Sequence, residues 1–306
     1  MNTFTKTLLG LIAVVVPATG LLAYSPLTAV NALSSGRAAR VTSDLSYGIG
    51  PRKMLDIYTP LAATGPAPVV VFFYGGNWSS GARADYAFVG RALAARGMVA
   101  VIADYRLYPE VRYPDFLQDA AQAVAWAIRQ AAHYGGDPQQ VFLMGHSAGA
   151  YNAAMLALDA TWLAQQGLTP AALRGWIGLA GPYDFIPVEN KTARPVFLFP
   201  DTPPESQPIN HVTASAPPAL LMAAKHDALV NPARNTGGLA RQLRAQGVPV
   251  TEHYFDKVGH ATLLVSLAAP LRALAPTLDA VALFVATDGG RLQQAGKQSA
   301  AGRRKE

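Results

Sequence analysis

Short runs of consecutive apolar residues alternate along the chain with longer segments of helical periodicity. The clearest run is Val69–Phe73, which is β-branched and aromatic and lies between Pro68 and Gly75. A run of this length is too short for a buried helix and is typical of a strand covered on both faces. Four further segments are predicted as strands on the same grounds: Met98–Ala103, Val141–Gly145, Trp176–Ala180 and Ala219–Ala224. Val250–Phe255 is predicted as a further strand.

The segments between these strands predict helices. Four of them have apolar residues at helical spacing: Tyr86–Arg96, Phe116–Tyr134, Ala150–Asp159 and Arg234–Gln246. Leu263–Val285 is a final helical region that Pro270 and Pro276 interrupt. Buried strands separated by helices predict an α/β fold, with a mostly parallel central sheet and helices on both faces.

Two segments depart from this alternation. Ser46–Tyr58 is predicted as an antiparallel hairpin at the edge of the sheet. Phe185–Pro218 is rich in proline and has no clear periodicity. We interpret it as an irregular insertion over the carboxyl edge of the sheet, where such folds form a substrate pocket. The sequence has no internal repeat, so we expect a single domain over residues 41–286.

Composition and charge narrow the function classes. Hydrophobic residues make up 51% of the chain and charged residues 14%, which is enough for a large buried core. The net charge of +6 comes from residues 1–40 and 286–306, whereas residues 41–285 have equal numbers of acidic and basic side chains. A nucleic-acid-binding domain carries a basic face on its folded part, so no nucleic-acid partner is expected. The absence of cysteine excludes disulfides, thiolate metal sites and a cysteine nucleophile.

Both ends of the chain differ from the middle. Thr7–Tyr24 is apolar but contains Pro17 and Gly20. Residues 1–32 are predicted to be a signal peptide, with a cleavage site near Val30–Ala32, or alternatively an uncleaved membrane anchor. The protein is therefore expected to be exported, to the periplasm or the medium, or to be held at a membrane by its N-terminus. Residues 287–306 are rich in Gly, Gln, Lys and Arg, which predicts a disordered basic tail.

The strongest chemical signal is the motif G-x-S-x-G at Gly145–Gly149, between a predicted strand and a predicted helix. In this context the serine, here Ser147, occupies a strained turn that exposes its hydroxyl, and the glycines leave room for the neighbouring backbone. The N–H of Ala148 at the start of the helix is then directed at a developing oxyanion.

A serine nucleophile needs a base, and the base needs an orienting acid. The order expected for this motif is Ser, then Asp or Glu, then His. Of the six histidines, only His260 lies on a loop beyond the last predicted strand. Asp227 follows the strand Ala219–Ala224, and we favour it as the acid. Asp184 follows the preceding strand and is the alternative, although we expect it to hold a turn by accepting backbone N–H groups.

Further oxyanion donors are expected after the first central strand, in Tyr74–Trp78. Its two consecutive glycines allow the backbone N–H groups to face a substrate oxygen. Gly76 and Asn77 are the predicted donors, with Tyr74, Gly75 and Trp78 supporting the loop.

With these motifs, the chain resembles the serine carboxylesterases of the α/β-hydrolase superfamily. Within them it is similar to the hormone-sensitive-lipase-like and feruloyl-esterase-like group and to its kynurenine-formamidase-like relatives. The resemblance covers about residues 45–285 and includes the structural segments Asp104–Leu107 and Tyr113–Asp115. It implies an α/β-hydrolase fold and a triad of Ser147, Asp227 and His260.

The chain departs from this group at one position of the oxyanion loop. The group has His-Gly-Gly-x-Trp where this chain has Tyr74-Gly75-Gly76-Asn77-Trp78. The family histidine helps to hold the loop and is not the catalytic base. We expect the hydroxyl of Tyr74 to make a comparable bond.

The sequence therefore predicts a serine hydrolase that cleaves carboxylic esters of small to medium apolar acyl groups through an acyl-enzyme on Ser147. An arylformamidase acting on N-formylkynurenine-type amides is an alternative, because the same triad serves both reactions. A non-catalytic binding module of the same fold is a third hypothesis, although such proteins have usually lost a triad member. We expect no metal or organic cofactor, a small-molecule ester as partner, and membrane association only through the N-terminal apolar segment.

Overall fold

The computed structural model describes residues 26–34 and 39–289. These residues fold around one eight-stranded sheet. Its strands are β1 (Ala39–Ser46), β2 (Met54–Pro60), β3 (Ala67–Phe73), β4 (Val99–Ala103), β5 (Gly136–His146), β6 (Gly175–Leu179), β7 (Ala219–Ala224) and β8 (Val250–Phe255). The five strands predicted from apolar runs and the further strand Val250–Phe255 are present.

The strand order across the sheet is β1-β2-β4-β3-β5-β6-β7-β8. β1 pairs with β2, and β2 with β4, in antiparallel orientation. All the pairs from β4 to β8 are parallel. Every residue of β4, β6 and β7 is buried, because helices cover both faces of the sheet. The predicted α/β-hydrolase fold is confirmed.

The described part of the chain contains eight α-helices: α1 (Pro26–Leu33), α2 (Ala87–Ala94), α3 (Asp115–Gln130), α4 (Ala148–Leu158), α5 (Ala160–Ala164), α6 (Thr236–Ala245), α7 (His260–Val265) and α8 (Thr277–Ala286). Helix α4 is buried along its whole length and contacts β3, β5 and β6. Within the predicted insertion, residues 185–218, the structure has turns and two short 3-10 helices, Pro204–Ser206 and Pro208–His211. None of the described helices is long and apolar enough to cross a membrane.

Several boundaries differ from those predicted. The edge hairpin is longer than Ser46–Tyr58, because its first strand begins at Ala39. β5 begins at Gly136 rather than Val141, since Pro138 and the polar residues around it belong to the exposed start of that strand. His260, expected on a loop, is the first residue of α7.

The predicted N-terminal leader overlaps a packed helix. In α1, the Asn31 side chain accepts the backbone N–H of Phe88 at 2.8 Å and donates to the carbonyl oxygens of Ala84 and Asp85 at 3.0 Å each. Asn31 thereby satisfies one of the free N–H groups at the start of α2. A cut at Val30–Ala32 would separate part of α1 from this contact. The prediction of a signal peptide or anchor in residues 1–25 and that of a disordered tail after residue 289 lie outside the described residues.

The topology brings the chemically important loops to one edge of the sheet. The chain adds β4 on one side of β3 and β5 on the other, so the loops after β3 and β5 diverge at a switch point. The register pairs Phe73 with Gly145, which places the residues that follow the two strands side by side. The loops after β7 and β8 begin at the same edge, since these strands are parallel to β5.

Candidate active site

Ser147 lies in a sharp turn between β5 and α4. Its backbone has φ +52° and ψ −121°, which is unfavourable for a residue with a side chain. The N–H of Ser147 donates to the carbonyl oxygen of Leu179 at 2.9 Å, and this bond ties the turn to β6. The flanking glycines are required by close packing: a Cβ on Gly145 would lie 2.1 Å from the Gly149 oxygen, and one on Gly149 would lie 2.0 Å from the Phe73 oxygen.

Of the three residues predicted as a triad, His260 lies within hydrogen-bonding distance of both of the others. His260 Nε2 lies 2.9 Å from Ser147 Oγ, and His260 Nδ1 lies 2.7 Å from Asp227 Oδ2. The side chain of Asp227 is fully buried and that of His260 is 11% exposed. A serine, imidazole and carboxylate in this geometry can activate the hydroxyl for attack on an acyl carbon.

The carboxylate of Asp227 is held from two sides. Its Oδ1 accepts the backbone N–H groups of Leu229 at 2.8 Å and Val230 at 3.0 Å, while its Oδ2 faces His260. Burial acts to raise the pKa of Asp227, but the bond with His260 and those with the two N–H groups outweigh it. The pKa of Asp227 is therefore lowered, and the carboxylate is ionised opposite the imidazole.

Asp184, the alternative acid, has a different position. Its carboxylate pairs with the Arg234 guanidinium through Nε at 3.0 Å and Nη2 at 2.8 Å. The expectation that it would hold a turn by accepting backbone N–H groups is wrong. A guanidinium from the loop before α6 binds both carboxylate oxygens, and this bidentate pair is a stronger interaction than a local turn bond.

His146 is a residue of the site that the sequence did not indicate. Its imidazole Nε2 lies 3.0 Å from the backbone oxygen of His260, and the two rings are 5.0 Å apart. Burial, followed by the proximity of His260, lowers the pKa of His146 to about 3. The neutral ring donates from Nε2 to this carbonyl and so holds the His260 backbone. Its position inside the G-x-S-x-G motif was the one available sequence signal.

His146 makes stability depend on pH. The unfolded chain takes up a proton on this imidazole near pH 6.5, whereas the folded protein does so only near pH 3, so stability is lost as the pH falls between these values. When the pH is lowered from about 7 to about 5, the unfolding free energy of the wild type should fall by about 2 kcal/mol more than that of His146→Gln. Urea unfolding of both proteins at the two pH values measures this. Equal pH slopes would contradict a buried neutral imidazole.

The loop after β3 has an unusual backbone. Gly76, Asn77 and Trp78 have φ of +125°, +52° and +56°, so three consecutive residues adopt positive φ. A Cβ on Gly76 would lie 2.2 Å from the Ser80 oxygen, and one on Gly75 would lie 3.0 Å from Ser147 Cβ. Only glycine fits at position 76, because of the close backbone and the positive φ, whereas a side chain at position 75 would be tightly packed.

This backbone leaves donors free beside the serine. Within the described residues, the N–H groups of Gly76 and Asn77 donate to no protein acceptor. Ala148, the first residue of α4, has an N–H with no intrahelical partner. Gly76, Asn77 and Ala148 all line the space around Ser147. These predicted oxyanion donors are thus brought to one place, where they can stabilise a negative oxygen.

Trp78 holds the strained loop to the core. Its indole Nε1 donates to Asn152 Oδ1 at 3.0 Å, and its ring packs edge-on against Phe197 and Tyr151. Bulky residues rarely adopt positive φ, so this bond and this packing offset the strain. Asn152, on the buried face of α4, carried no local sequence signal for this role.

Tyr74 supports the loop from behind. Its hydroxyl donates to Asp104 Oδ1 at 2.7 Å and accepts from Arg52 Nη2 at 2.7 Å. The Tyr74 carbonyl accepts the hydroxyl of Tyr105 at 2.7 Å. Burial, then the neighbouring Tyr105 and Asp104, raise the pKa of Tyr74, so its hydroxyl remains a donor. The expected bond is present, and its partner is Asp104.

Removing this hydroxyl should destabilise the protein. Tyr74 is fully buried, and Tyr74→Phe leaves Asp104 with one donor fewer in a buried ionic network with Arg83. We expect a loss of about 1 to 3 kcal/mol in unfolding free energy, measured by urea denaturation. Tyr108→Phe is the matched control, since no hydrogen bond involves the Tyr108 hydroxyl among the described residues. Equal effects of the two variants would contradict the role given to Tyr74.

Two cavities meet at Ser147. One, of about 130 Å³, is lined by the oxyanion loop, the start of α4, the insertion and the loop after β7; its apolar walls are Trp78, Phe185, Pro187, Val188, Leu229 and Val230. The other, of about 200 Å³, is lined by His260, His146, Tyr86, Gly75 and Gly76. Asn77, Asn190, Leu229 and Val230 border both. The predicted insertion does form part of the pocket.

The structure also shows which groups the site lacks. Within residues 26–34 and 39–289, no three His, Asp or Glu side chains come together in a way that could hold a metal ion. The described ionisable side chains that border the two cavities are those of His260, His146, Tyr86, Asp184, Glu189 and Arg234.

Comparison with known proteins relates the chain to esterases. Residues 55–243 match the BD-FAE family. An alignment of 160 positions, which covers 49% of this chain, is 36% identical to the probable isoprenylcysteine alpha-carbonyl methylesterase ICMEL1 of Oryza sativa subsp. japonica and covers 36% of that protein. An alignment of 267 positions, which covers 78% of this chain, is 30% identical to esterase LipC of Mycobacterium tuberculosis and covers 63% of LipC. The chain thus spans less than two thirds of the length of these relatives.

Solved structures share the fold. The butyrate-bound Est2 esterase of Thermogutta terrifontis superposes with a TM-score of 0.66 at 23% identity, covering 82% of this chain and 94% of that one. Inhibited esterase B of Lactobacillus rhamnosis superposes with a TM-score of 0.71 at 17% identity, covering 88% and 94%. At these identities the likeness concerns the fold. By its match over residues 55–243, the chain belongs to the BD-FAE family and has the α/β-hydrolase fold.

Proposed function

We propose that the protein is a serine hydrolase that cleaves carboxylic esters of small to medium apolar acyl groups through an acyl-enzyme on Ser147. One observation carries the proposal. His260 lies 2.9 Å from the hydroxyl of Ser147 and 2.7 Å from the carboxylate of Asp227, beside three free backbone N–H groups. The esterase names of the matched relatives support the same reaction class.

Acylation begins with attack of Ser147 Oγ on the ester carbonyl carbon. His260 Nε2 accepts the hydroxyl proton, and Asp227 stabilises the resulting imidazolium and keeps the proton on Nδ1 in the resting state. The carbonyl oxygen becomes an oxyanion that accepts from the N–H groups of Gly76, Asn77 and Ala148. Loss of one such donor typically raises the barrier by about 3 kcal/mol. His260 then donates its proton to the leaving alcohol oxygen, and the ester bond breaks.

Deacylation repeats the sequence with water. His260 removes a proton from the water, which attacks the acyl carbon, and the oxyanion forms again at the same N–H groups. Collapse of this intermediate releases the carboxylic acid and returns the proton to Ser147. His146 remains neutral through both steps, because its low pKa prevents it from competing for the proton.

The two cavities divide the substrate between them. His260 must reach the leaving oxygen, so the alcohol occupies the cavity of about 200 Å³ that His260 lines. The acyl group occupies the cavity of about 130 Å³, which includes Ala148 and the apolar insertion residues. A cavity of about 150 Å³ holds one benzene molecule, so acyl chains up to about six carbons are expected to fit.

The test is a substrate panel on the purified protein. We expect p-nitrophenyl acetate, butyrate and hexanoate to be hydrolysed, with a sharp fall in kcat/KM for longer acyl chains. N-formylkynurenine is included because the same triad could cleave a formamide. Turnover of this amide far above that of every ester would replace the esterase assignment. A protein that hydrolyses none of these substrates and fails to react with a fluorophosphonate probe would not be a serine hydrolase.

A further inference from the structure

The insertion makes one polar contact with the oxyanion loop. Asn190 Nδ2 donates to Asn77 Oδ1 at 2.9 Å, and the two residues border both cavities. Among the described residues this is the only hydrogen bond of the Asn77 side chain. Ser147 lines the same two cavities, so the bond borders the space in which a substrate would bind.

The orientation of the Asn190 amide is fixed by its own surroundings. Its Oδ1 accepts the backbone N–H groups of Thr192 at 2.9 Å and Ala193 at 3.3 Å. The oxygen must face these donors, so the NH₂ group must face Asn77. Arg194 Nε donates to the Val188 oxygen at 2.9 Å and closes the same turn. Asn190 is therefore presented to the oxyanion loop by a turn that is itself cross-linked.

Asn77 needs such a support. It is a non-glycine residue at φ +52° between two other residues with positive φ, and this conformation is costly unless neighbouring contacts impose it. Trp78 is held by Asn152, and Tyr74 by Asp104 and Arg52. The side-chain bond from Asn190 is the corresponding support for Asn77, whose backbone N–H is one of the free donors beside Ser147.

We propose that Asn190 is a positioning residue of the oxyanion hole: by holding the Asn77 side chain, it directs the Asn77 N–H at the substrate oxygen. The proposal rests on the proposed function, since it concerns the oxyanion of the same reaction. It also couples the acyl-binding insertion to the catalytic loop.

A double-mutant cycle tests this role. Asn190→Ala should lower kcat for p-nitrophenyl butyrate about tenfold with KM within about twofold, because a misdirected donor weakens the transition state more than the ground state. Asn77→Gly removes the same bond from the other side while glycine tolerates the positive φ, and it should give a similar loss. In the Asn77→Gly background, Asn190→Ala should have less than about a twofold further effect.

The cycle separates positioning from simple loss of structure. Asn190→Ala also removes the bonds to Thr192 and Ala193, but this loss is the same in both backgrounds. Asn210→Ala is the matched control, since Asn210 lies in the same insertion and donates to Pro204, away from both cavities. It should leave kcat within about twofold of the wild type, as expected for a surface change. Thermal melting of each variant checks that it is folded.

Fluorophosphonate labelling of Ser147 provides a second readout. The phosphoryl oxygen of the probe occupies the oxyanion hole, so the second-order labelling rate should follow the same cycle as kcat. An unchanged kcat in Asn190→Ala, or a full tenfold loss that persists in the Asn77→Gly background, would overturn this inference and leave the proposed function standing. A wild-type protein that neither hydrolyses esters nor reacts with the probe would overturn both.

Discussion

Replacing Ser147 by alanine should lower kcat for ester hydrolysis about 10⁶-fold, to the rate that binding and the oxyanion donors alone support. The hydroxyl lies 2.9 Å from His260 Nε2 and is the nucleophile of the proposed mechanism, so the variant cannot form an acyl-enzyme. Initial rates with p-nitrophenyl butyrate measure the effect. Helix α4 begins after this residue and its packing does not use the hydroxyl, so the fold should be retained.

A second serine provides the control for this experiment. Ser215 lies in the insertion on an exposed turn, where its hydroxyl bonds with that of Thr213. Ser215→Ala should keep nearly full activity, since surface changes of this kind have small effects. More than about 1% residual activity in Ser147→Ala, from a preparation free of wild-type enzyme, would show that another group is the nucleophile, because removal of a true one costs far more.

Asp227→Asn should lower kcat about 10⁴-fold. The structure explains why the amide is harmful. The backbone N–H groups of Leu229 and Val230 donate to Oδ1, so the oxygen of the new asparagine stays at that position and its NH₂ group faces His260 Nδ1. The imidazole must then carry its proton on Nε2, which is the wrong tautomer to accept the proton of Ser147.

The alternative acid allows a direct comparison. Asp184 pairs with Arg234 at the wall of the acyl cavity, so Asp184→Asn should change KM and reduce kcat by less than about tenfold, as loss of a partly exposed ion pair does. Steady-state kinetics of both variants distinguish the two carboxylates. A larger loss of kcat in Asp184→Asn than in Asp227→Asn would reverse the assignment of the acid.

The parts of the site that could be predicted from the sequence are those with local signals. The apolar runs marked the central strands, because a strand buried on both faces has no polar positions. Gly145 and Gly76 are required by backbone contacts within their own turns, with Gly149 and Ser80 respectively. Asp227 and His260 could be predicted because each lies in the segment that follows a strand, and parallel strands end at one edge of the sheet.

The parts that could not be predicted depend on contacts between distant residues. Asn190 bonds with Asn77 across 113 positions, and Asn31 with Phe88 across 57. For Asp184 the sequence favours a local bond with backbone N–H groups in its own turn. Its actual partner, Arg234, lies 50 positions away and has no local signal. Residues 26–32 of the predicted leader lie within α1, and its packing against the start of α2 is again a contact between distant residues.

Tyr74 illustrates how one changed residue can keep a local function. The chain has tyrosine where the esterase group that it resembles has histidine. The Tyr74 hydroxyl bonds with Asp104 and Arg52 behind the oxyanion loop. The ring also stacks with Tyr86 and Tyr105 at centroid distances of 5.1 and 4.9 Å. The loop is thus supported by aromatic packing as well as by hydrogen bonds. Tyr86, which belongs to this stack, also lines the cavity of about 200 Å³ beside His260.

The central claim is that Ser147 is the nucleophile of this site. Mass spectrometry after reaction with a fluorophosphonate probe tests it most directly. We expect one adduct per chain, which peptide mapping locates at Ser147. Esterase activity should fall in proportion to labelling, and Ser147→Ala should form no adduct. An adduct at another residue, or full esterase activity in a protein labelled at Ser147, would contradict it.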